Sequence, residues 1–447
     1  MNEQQKSAQR ARRKKDQQRG LALLTVVILI AVMTVMASDF SYNARVDFAS
    51  AANARDELQA HYLARSSINL SRLLLKVQEK LIDPNRRFLG GMDIQIADYA
   101  PWIVQAFNGP SGDGKKAKKA REDRAEVQEE EEAGGAAMIG AMLGIDASRI
   151  KGLGVDRGQF DLSMQSLDGR LNLNCGGGAN TTSPVVVQFA AALAALLSPE
   201  RYNPIFEDQD DQGQYADRME VLRAIIDWAD RDTVMFGSTA AEDYRYNTGA
   251  DPYKSKDQYF DTLEELRLVR GVDERFIAAF EQSLTVYGSC TVNVATASPA
   301  LLAGLITQHA ATPNDPGLQW KNLALLTRYV VAIRGMSGGF SDAKAFIKAV
   351  EDPMSQLGMA AAVDNLASGG QSEQPRGLPP VTGVKLNPKV SSSIVAGGPR
   401  RIWKIVATAE VNKTRKRIVG VWDAKHITMQ AGRHNFGPGA FLYWREE

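Results

Sequence analysis

Five carboxylates crowd a short stretch near the middle of this 447-residue chain. Asp227, Asp230 and Asp232 stand close together, and Glu242 and Asp243 follow after a loop that contains Gly237. Oxygen clusters of this kind suit calcium, a hard cation that takes about six to eight oxygen ligands from flexible loops. Backbone carbonyls between 232 and 246 would complete such a shell. The spacing is not that of an EF-hand. The residues alone leave a second reading open, in which these groups cap helices and face solvent. Asp227 and Asp230 as an acid–base pair have no nucleophile or cleft suggested beside them. The chain carries no P-loop, GxSxG, HExxH or glycine-rich dinucleotide turn, so no catalytic residue is assigned and no enzyme is expected. Its cysteines, Cys175 and Cys290, form no CxxC, and the histidines His61, His309, His426 and His434 are scattered, which argues against structural zinc.

The acidic stretch needs a helical frame. Helical spacing is expected over Val185–Leu197, Arg218–Ala229, Leu263–Val269, Arg275–Glu281, Pro299–Gln308, Leu323–Ile333 and Asp342–Val350. This makes a helical block from about 180 to 352, with Asp227 at the end of one helix. Strands flank it. Residues 158–174 alternate around Leu167-Asp168-Gly169-Arg170, which reads as a hairpin turn. Trp403–Val411 and Arg417–Trp422 alternate around Asn412-Lys413-Thr414, and Phe441–Trp444 reads as a last short strand. Residues 109–135 and 368–380 are polar and read as a disordered insertion and a linker.

The start of the chain sets the compartment. Leu21 to Ala37 holds no charge, proline or glycine, and as a helix spans about 25 Å, near the lower end for a bilayer core. Before it lie Lys6, Arg10, Arg12, Arg13, Lys14, Lys15 and Arg19 against Asp16. Such a basic flank stays cytoplasmic. A secretory signal cut near Ala37-Ser38 is the competing reading. Against it, apolar residues recur at helical spacing from Val46 to Leu81, and the first proline is Pro84. One rod from about 21 to 82, on the order of 90 Å long, is expected.

Gln18-Arg19-Gly20-Leu21-Ala22-Leu23-Leu24-Thr25 resembles a type IV prepilin processing site, cut between Gly20 and Leu21. Relatives of that class carry Glu five residues after the cut, where this chain has Thr25. That departure, with LDGRLNLN at 167–174, IIDWADRD at 225–232, AEDY at 241–244, ELRLVRGV at 265–272 and TVNVATAS at 291–298, resembles the K-type minor pseudopilins of type II secretion (general secretion pathway protein K, GspK). A buried carboxylate at position 25 would need a partner in lipid, and a subunit at a fibre tip has none ahead of it. Thr25 can instead hydrogen-bond back to its own helix.

The resemblance implies an α+β fold: a pilin-like long N-terminal helix packed on an antiparallel sheet, with a large inserted all-helical domain. It divides the chain into a cleaved basic leader (1–20), a transmembrane and periplasmic rod (21–82), a first sheet part (83–175, containing 109–135), an inserted helical domain (176–367), a linker (368–380) and C-terminal strands (381–447). It also implies calcium in the helical domain. Implied partners are I- and J-type minor pseudopilins, the major pseudopilin, the inner-membrane assembly platform and prepilin peptidase. The implied location is the bacterial inner membrane, single-pass, with a cytoplasmic N-terminus and periplasmic head. Residues 263–308 also resemble helix-hairpin-helix modules, which leaves a membrane-anchored DNA receptor, or a minor type IV pilin, as the rival. The net charge of +1 and the Asp and Glu of 207–265 speak against nucleic acid. In an oxidising periplasm Cys175 and Cys290 either pair or stay as buried thiols; a pair would close a loop of about 115 residues and add about 4–5 kcal/mol.

Overall fold

The computed structural model describes residues 3–85, 95–101, 103–104, 158–178, 182–208, 217–242, 246, 252–337, 339–367, 379–425, 427–430, 433–436 and 439–447. The 109–135 insertion and nearly all of the 368–380 linker lie outside this set.

Helix α1 runs from Glu3 to Val77 with Gly20 as its single glycine and no proline. It continues through a wider turn, Gln78–Ile82, and a last turn, Asp83–Asn85. Gln78 is buried at that wider turn, where its side chain donates to Asp83 and accepts from the Ile96 N–H. The large apolar side chains from Leu23 to Met36 are exposed, and this is a helix long and apolar enough to cross a membrane. Burial starts only at Asp56, Ala60 and Ala64.

From there α1 packs on a four-stranded antiparallel sheet of order β1-β6-β7-β10. These strands are β1 (Gln159–Ser166), β6 (Ile402–Val411), β7 (Thr414–Asp423) and β10 (Ala440–Glu446). Alternation puts Phe160, Leu162, Trp403, Ile405, Ala407 and Ala409 on the face that meets Ala64, Ile68, Leu74 and Leu75 of the rod. The β6–β7 loop is short, and Asn412 takes the left-handed conformation such hairpins require. Its side chain donates to Asp56 at 2.7 Å while Lys416 pairs with Glu57, which ties the hairpin tip to the rod.

The expected hairpin around Asp168-Gly169 does not form. β1 pairs with β6 from Gln159↔Glu410 to Ser166↔Trp403, and the chain then leaves the sheet. Its next strand, β2 (Leu171–Asn172), pairs in parallel with β3 (Leu284–Thr285). The turn is used for docking. Asp168 accepts the Arg401 N–H at 2.6 Å and the Ile402 N–H at 3.3 Å. A Cβ on Gly169 would lie 2.4 Å from the Thr296 backbone, so this close approach needs glycine.

Beyond the turn lies the head. Its helices are α2 (Pro184–Leu197), α3 (Arg218–Ala229), α4 (Glu274–Phe280), α5 (Pro299–Gln308), α6 (Trp320–Met336), α7 (Ala343–Glu351) and α8 (Pro353–Ala367). Ser183, Asp217, Asp273, Ser298 and Asp342 cap five of them through side-chain oxygens. One large apolar core joins these helices, from Leu171 to Ile394. The expected helix at 263–269 is a tighter 3-10 turn, Leu263–Leu268. Glu265 folds back on the Asp261 and Thr262 N–H groups, and Gly271, at φ 81°, turns the chain into α4. The sequence pattern also missed α8, the parallel pair β4 (Val292–Asn293) with β5 (Ile394–Val395), and the hairpin β8 (Ile427–Gln430) with β9 (Arg433–Phe436).

Candidate metal centre

Helix α3 starts at a full capping box, in which Asp217 and Glu220 exchange bonds with each other's backbone. Its far end carries Asp227 and, at the C-cap, Asp230. A helix C-terminus bears negative partial charge, so carboxylates there are at the unfavourable end. They are also out of water: Asp227 is 3% exposed, Asp230 0% and Glu242 4%. Glu242 comes back to this end because Val234 and Ala241 bridge across a turn at Gly237, with Met235 N–H donating to the Ala240 carbonyl. Asp232 steadies the same turn by accepting the Val234 N–H.

The result is a cage. Asp230, Asp232 and Glu242 each offer an oxygen within 4.8 Å of the others. Both carboxylate oxygens of Asp230 and both of Glu242 are buried without a well-formed hydrogen bond, the Asp232 N–H easing Asp230 only weakly. Asp227 sits beside them with one oxygen held by the Phe236 N–H at 2.7 Å. A cavity of about 40 Å³ opens between Asp227, Glu242, Met235 and Tyr246. Buried acids with unmatched oxygens are costly unless a cation joins them. Burial first, and the neighbouring carboxylates next, raise Asp230 to about 8 and Glu242 to about 9. Burial also raises Asp227 to about 7, eased by its bond from Phe236. An all-oxygen set of this kind fits calcium or a similar hard cation.

Of the residues expected from the sequence, Asp230, Asp232 and Glu242 converge and Asp227 adjoins them. Asp243 lies outside the described residues. Sequence reasoning missed Asp257. Its charge acts on Asp227, Asp230 and Glu242, and it adopts a left-handed φ of 52°. No spacing signal ties it to the others; only the loop that returns over α3 brings it there. Asp230→Asn should remove a buried, uncompensated charge. In chelator at pH 8 its melting temperature is expected above that of the parent, by the equivalent of about 1–2 kcal/mol. Equal or lower stability in chelator would show that Asp230 is already matched.

The other expected sites are also placed. Cys175 and Cys290 are bonded, with Cα atoms 5.7 Å apart. Gly20 and Leu21 lie within α1, and Thr25 is on its exposed stretch. At the hairpin turn, Arg270 is buried and its guanidinium packs over the rings of Tyr246 and Tyr253. Arg275 is engaged by Asp273 and Asp208. Arg270 thus faces inward partners, whereas Arg275 stays partly exposed in its ion pairs.

Residues 169–289 match the family model for protein K of the type II secretion system. A type II secretion system protein K from Aeromonas hydrophila is 25% identical over 350 residues, covering 78% of this chain and 85% of that protein. The crystal structure of the GspK-GspI-GspJ complex from enterotoxigenic Escherichia coli is also similar, at 14% identity and a TM-score of 0.40, over 65% of this chain and 80% of that one. The protein K match contains the whole acidic cage, Asp257 and Cys175, and stops one residue before Cys290.

Proposed function

We propose that this chain is a minor pseudopilin at the tip of the type II secretion pseudopilus. It sits in the bacterial inner membrane by its N-terminal helix, and its sheet and head lie in the periplasm. With I- and J-type minor pseudopilins it initiates the fibre, which promotes export of folded proteins across the outer membrane. The assembly platform and the major pseudopilin act with it, and its role is assembly, not catalysis. The observation that carries this reading is one continuous helix, α1, whose apolar start is bare and whose later turns hold a sheet bearing a protein K head. Bare apolar helix at the start fits lipid; bare helix beyond it, with Phe40, Tyr42, Val46 and Phe48 exposed, fits neighbouring subunits. A bulky head on one side of the rod leaves a tip as the position without clashes above.

The leader is removed by prepilin peptidase after Gly20. N-terminal sequencing of the membrane-associated mature protein should therefore begin at Leu21. A start near Ser38, with the protein free of the membrane, would overturn the reading. The acidic cage holds calcium through Asp230, Asp232 and Glu242, with Asp227 and Asp243 contributing. Calcium supplies positive charge to Asp230 and Glu242, whereas Arg223 already eases Asp227. A DNA receptor is the weaker reading, because Arg270 is buried against Tyr246 and Tyr253.

A further inference from the structure

The segment just before the head's first helix lies between the end of α3 and the loop that carries Asp257. Asn174 makes three side-chain hydrogen bonds there. Its Oδ1 accepts the Phe260 N–H at 2.7 Å, and its Nδ2 donates to the carbonyls of Phe260 at 3.0 Å and Val286 at 2.8 Å. Phe260 ends the short loop that carries Asp257. The same loop is fastened to the acidic end of α3 by Ser255 Oγ, which donates to the Asp227 carbonyl at 3.0 Å, and by the Gln258 N–H toward the Trp228 carbonyl. Gly177 fills the remaining gap: a Cβ there would stand 2.5 Å from the Ala229 carbonyl and 2.8 Å from the Tyr259 ring.

Behind Asn174 the chain is locked to the 284–290 segment. Leu171 and Asn172 pair in parallel with Leu284 and Thr285. Asn172 Nδ2 donates to the Gly288 carbonyl, and its Oδ1 accepts the Asn174 N–H. The Cys175–Cys290 disulfide closes the far end. Asp257 meanwhile holds a left-handed backbone that a non-glycine residue adopts only when its surroundings impose it.

We propose that Asn174, braced by the Cys175–Cys290 disulfide, is the positioning residue of the cage, holding the Asp257 loop against the acidic end of α3 so that cation affinity depends on the disulfide being closed. Residues behind a metal's ligands set how well the ligands are aimed, and their loss typically costs about 10–100-fold in affinity. The proposal rests on the cage binding calcium. Opening the brace is thiol–disulfide exchange: a dithiol reductant supplies two electrons and two protons, the Sγ–Sγ bond breaks to two thiols, and the reductant leaves as its own disulfide. Cys290 is exposed and open to such attack.

The test is calcium titration calorimetry on the full chain in detergent micelles, before and after dithiothreitol, and on Asn174→Asp. The variant keeps the acceptor for Phe260 N–H but loses both donated bonds. Reduction and Asn174→Asp are each expected to raise the calcium Kd about tenfold or more. In the variant, reduction should add much less than it does to the parent, because the brace acts through Asn174. Melting in chelator shows whether each form stays folded; if Asn174→Asp does not fold, the reduced parent decides. A Kd unchanged within about twofold on reduction, in a chain that binds calcium, overturns this proposal alone. A parent chain that takes up no calcium overturns it together with the cage.

Discussion

Stripping calcium with a chelator at neutral pH should lower the melting temperature of the head by about 5–10 °C. The size follows from mass action: free calcium at 100 times its Kd stabilises the binding state by about 2.7 kcal/mol. For a unit of 150–250 residues each kcal/mol moves the midpoint by about 2–4 °C. The pH response supplies a second readout. Asp227, Asp230 and Glu242 have folded-state pKa values raised to about 7, 8 and 9, so the folded chain holds more protons than the unfolded one. In chelator, stability is therefore fullest near pH 4 and is lost as pH rises toward those values. Saturating calcium should flatten or reverse that slope, since the cation replaces the protons. Scanning calorimetry with and without chelator from pH 5 to about 9 checks both statements. Identical midpoints at neutral pH, with no slope in chelator, would remove the cation from this account.

A comparably large loss is expected from Asp168→Ala at the junction of sheet and head. This substitution leaves the Arg401 and Ile402 N–H groups facing an apolar methyl. Each unmatched backbone donor costs about 1–3 kcal/mol, so a total of about 3 kcal/mol is expected. Arg170 still reaches Gln165 on the sheet and the Glu281 and Leu284 carbonyls in the head. With that bridge kept, urea unfolding of Asp168→Ala should show a single transition at a lower urea concentration, displaced by that free energy. A single transition shifted by less than about 0.5 kcal/mol would show that the carboxylate is replaceable by water.

Much of this architecture could be read from periodicity. The rod, the β6–β7 hairpin and the capped helices α2, α3, α5 and α7 are local patterns, written in residues a few positions apart. Asp168-Gly169 misled for a physical reason. A turn between alternating runs favours a hairpin only if the second run finds the first, and here the carboxylate is recruited by Arg401 and Ile402, far away in sequence. The acidic cage was half legible. Asp230, Asp232 and Glu242 cluster along the chain, whereas Asp257 arrives through tertiary contacts of Ser255, Gln258 and Phe260. The disulfide stayed open in the sequence because pairing is a matter of Cα separation, which only the folded head supplies.

The unbroken course of α1 has one further consequence. Between the exposed apolar turns and Asp56 the helix has no glycine or proline, so a torque applied at its start would be carried along it to the head. A one-residue insertion in the bare stretch would advance the head only about 1.5 Å but swing it about 100° around the axis. Orientation, far more than height, is what such a shaft makes sensitive to its own length.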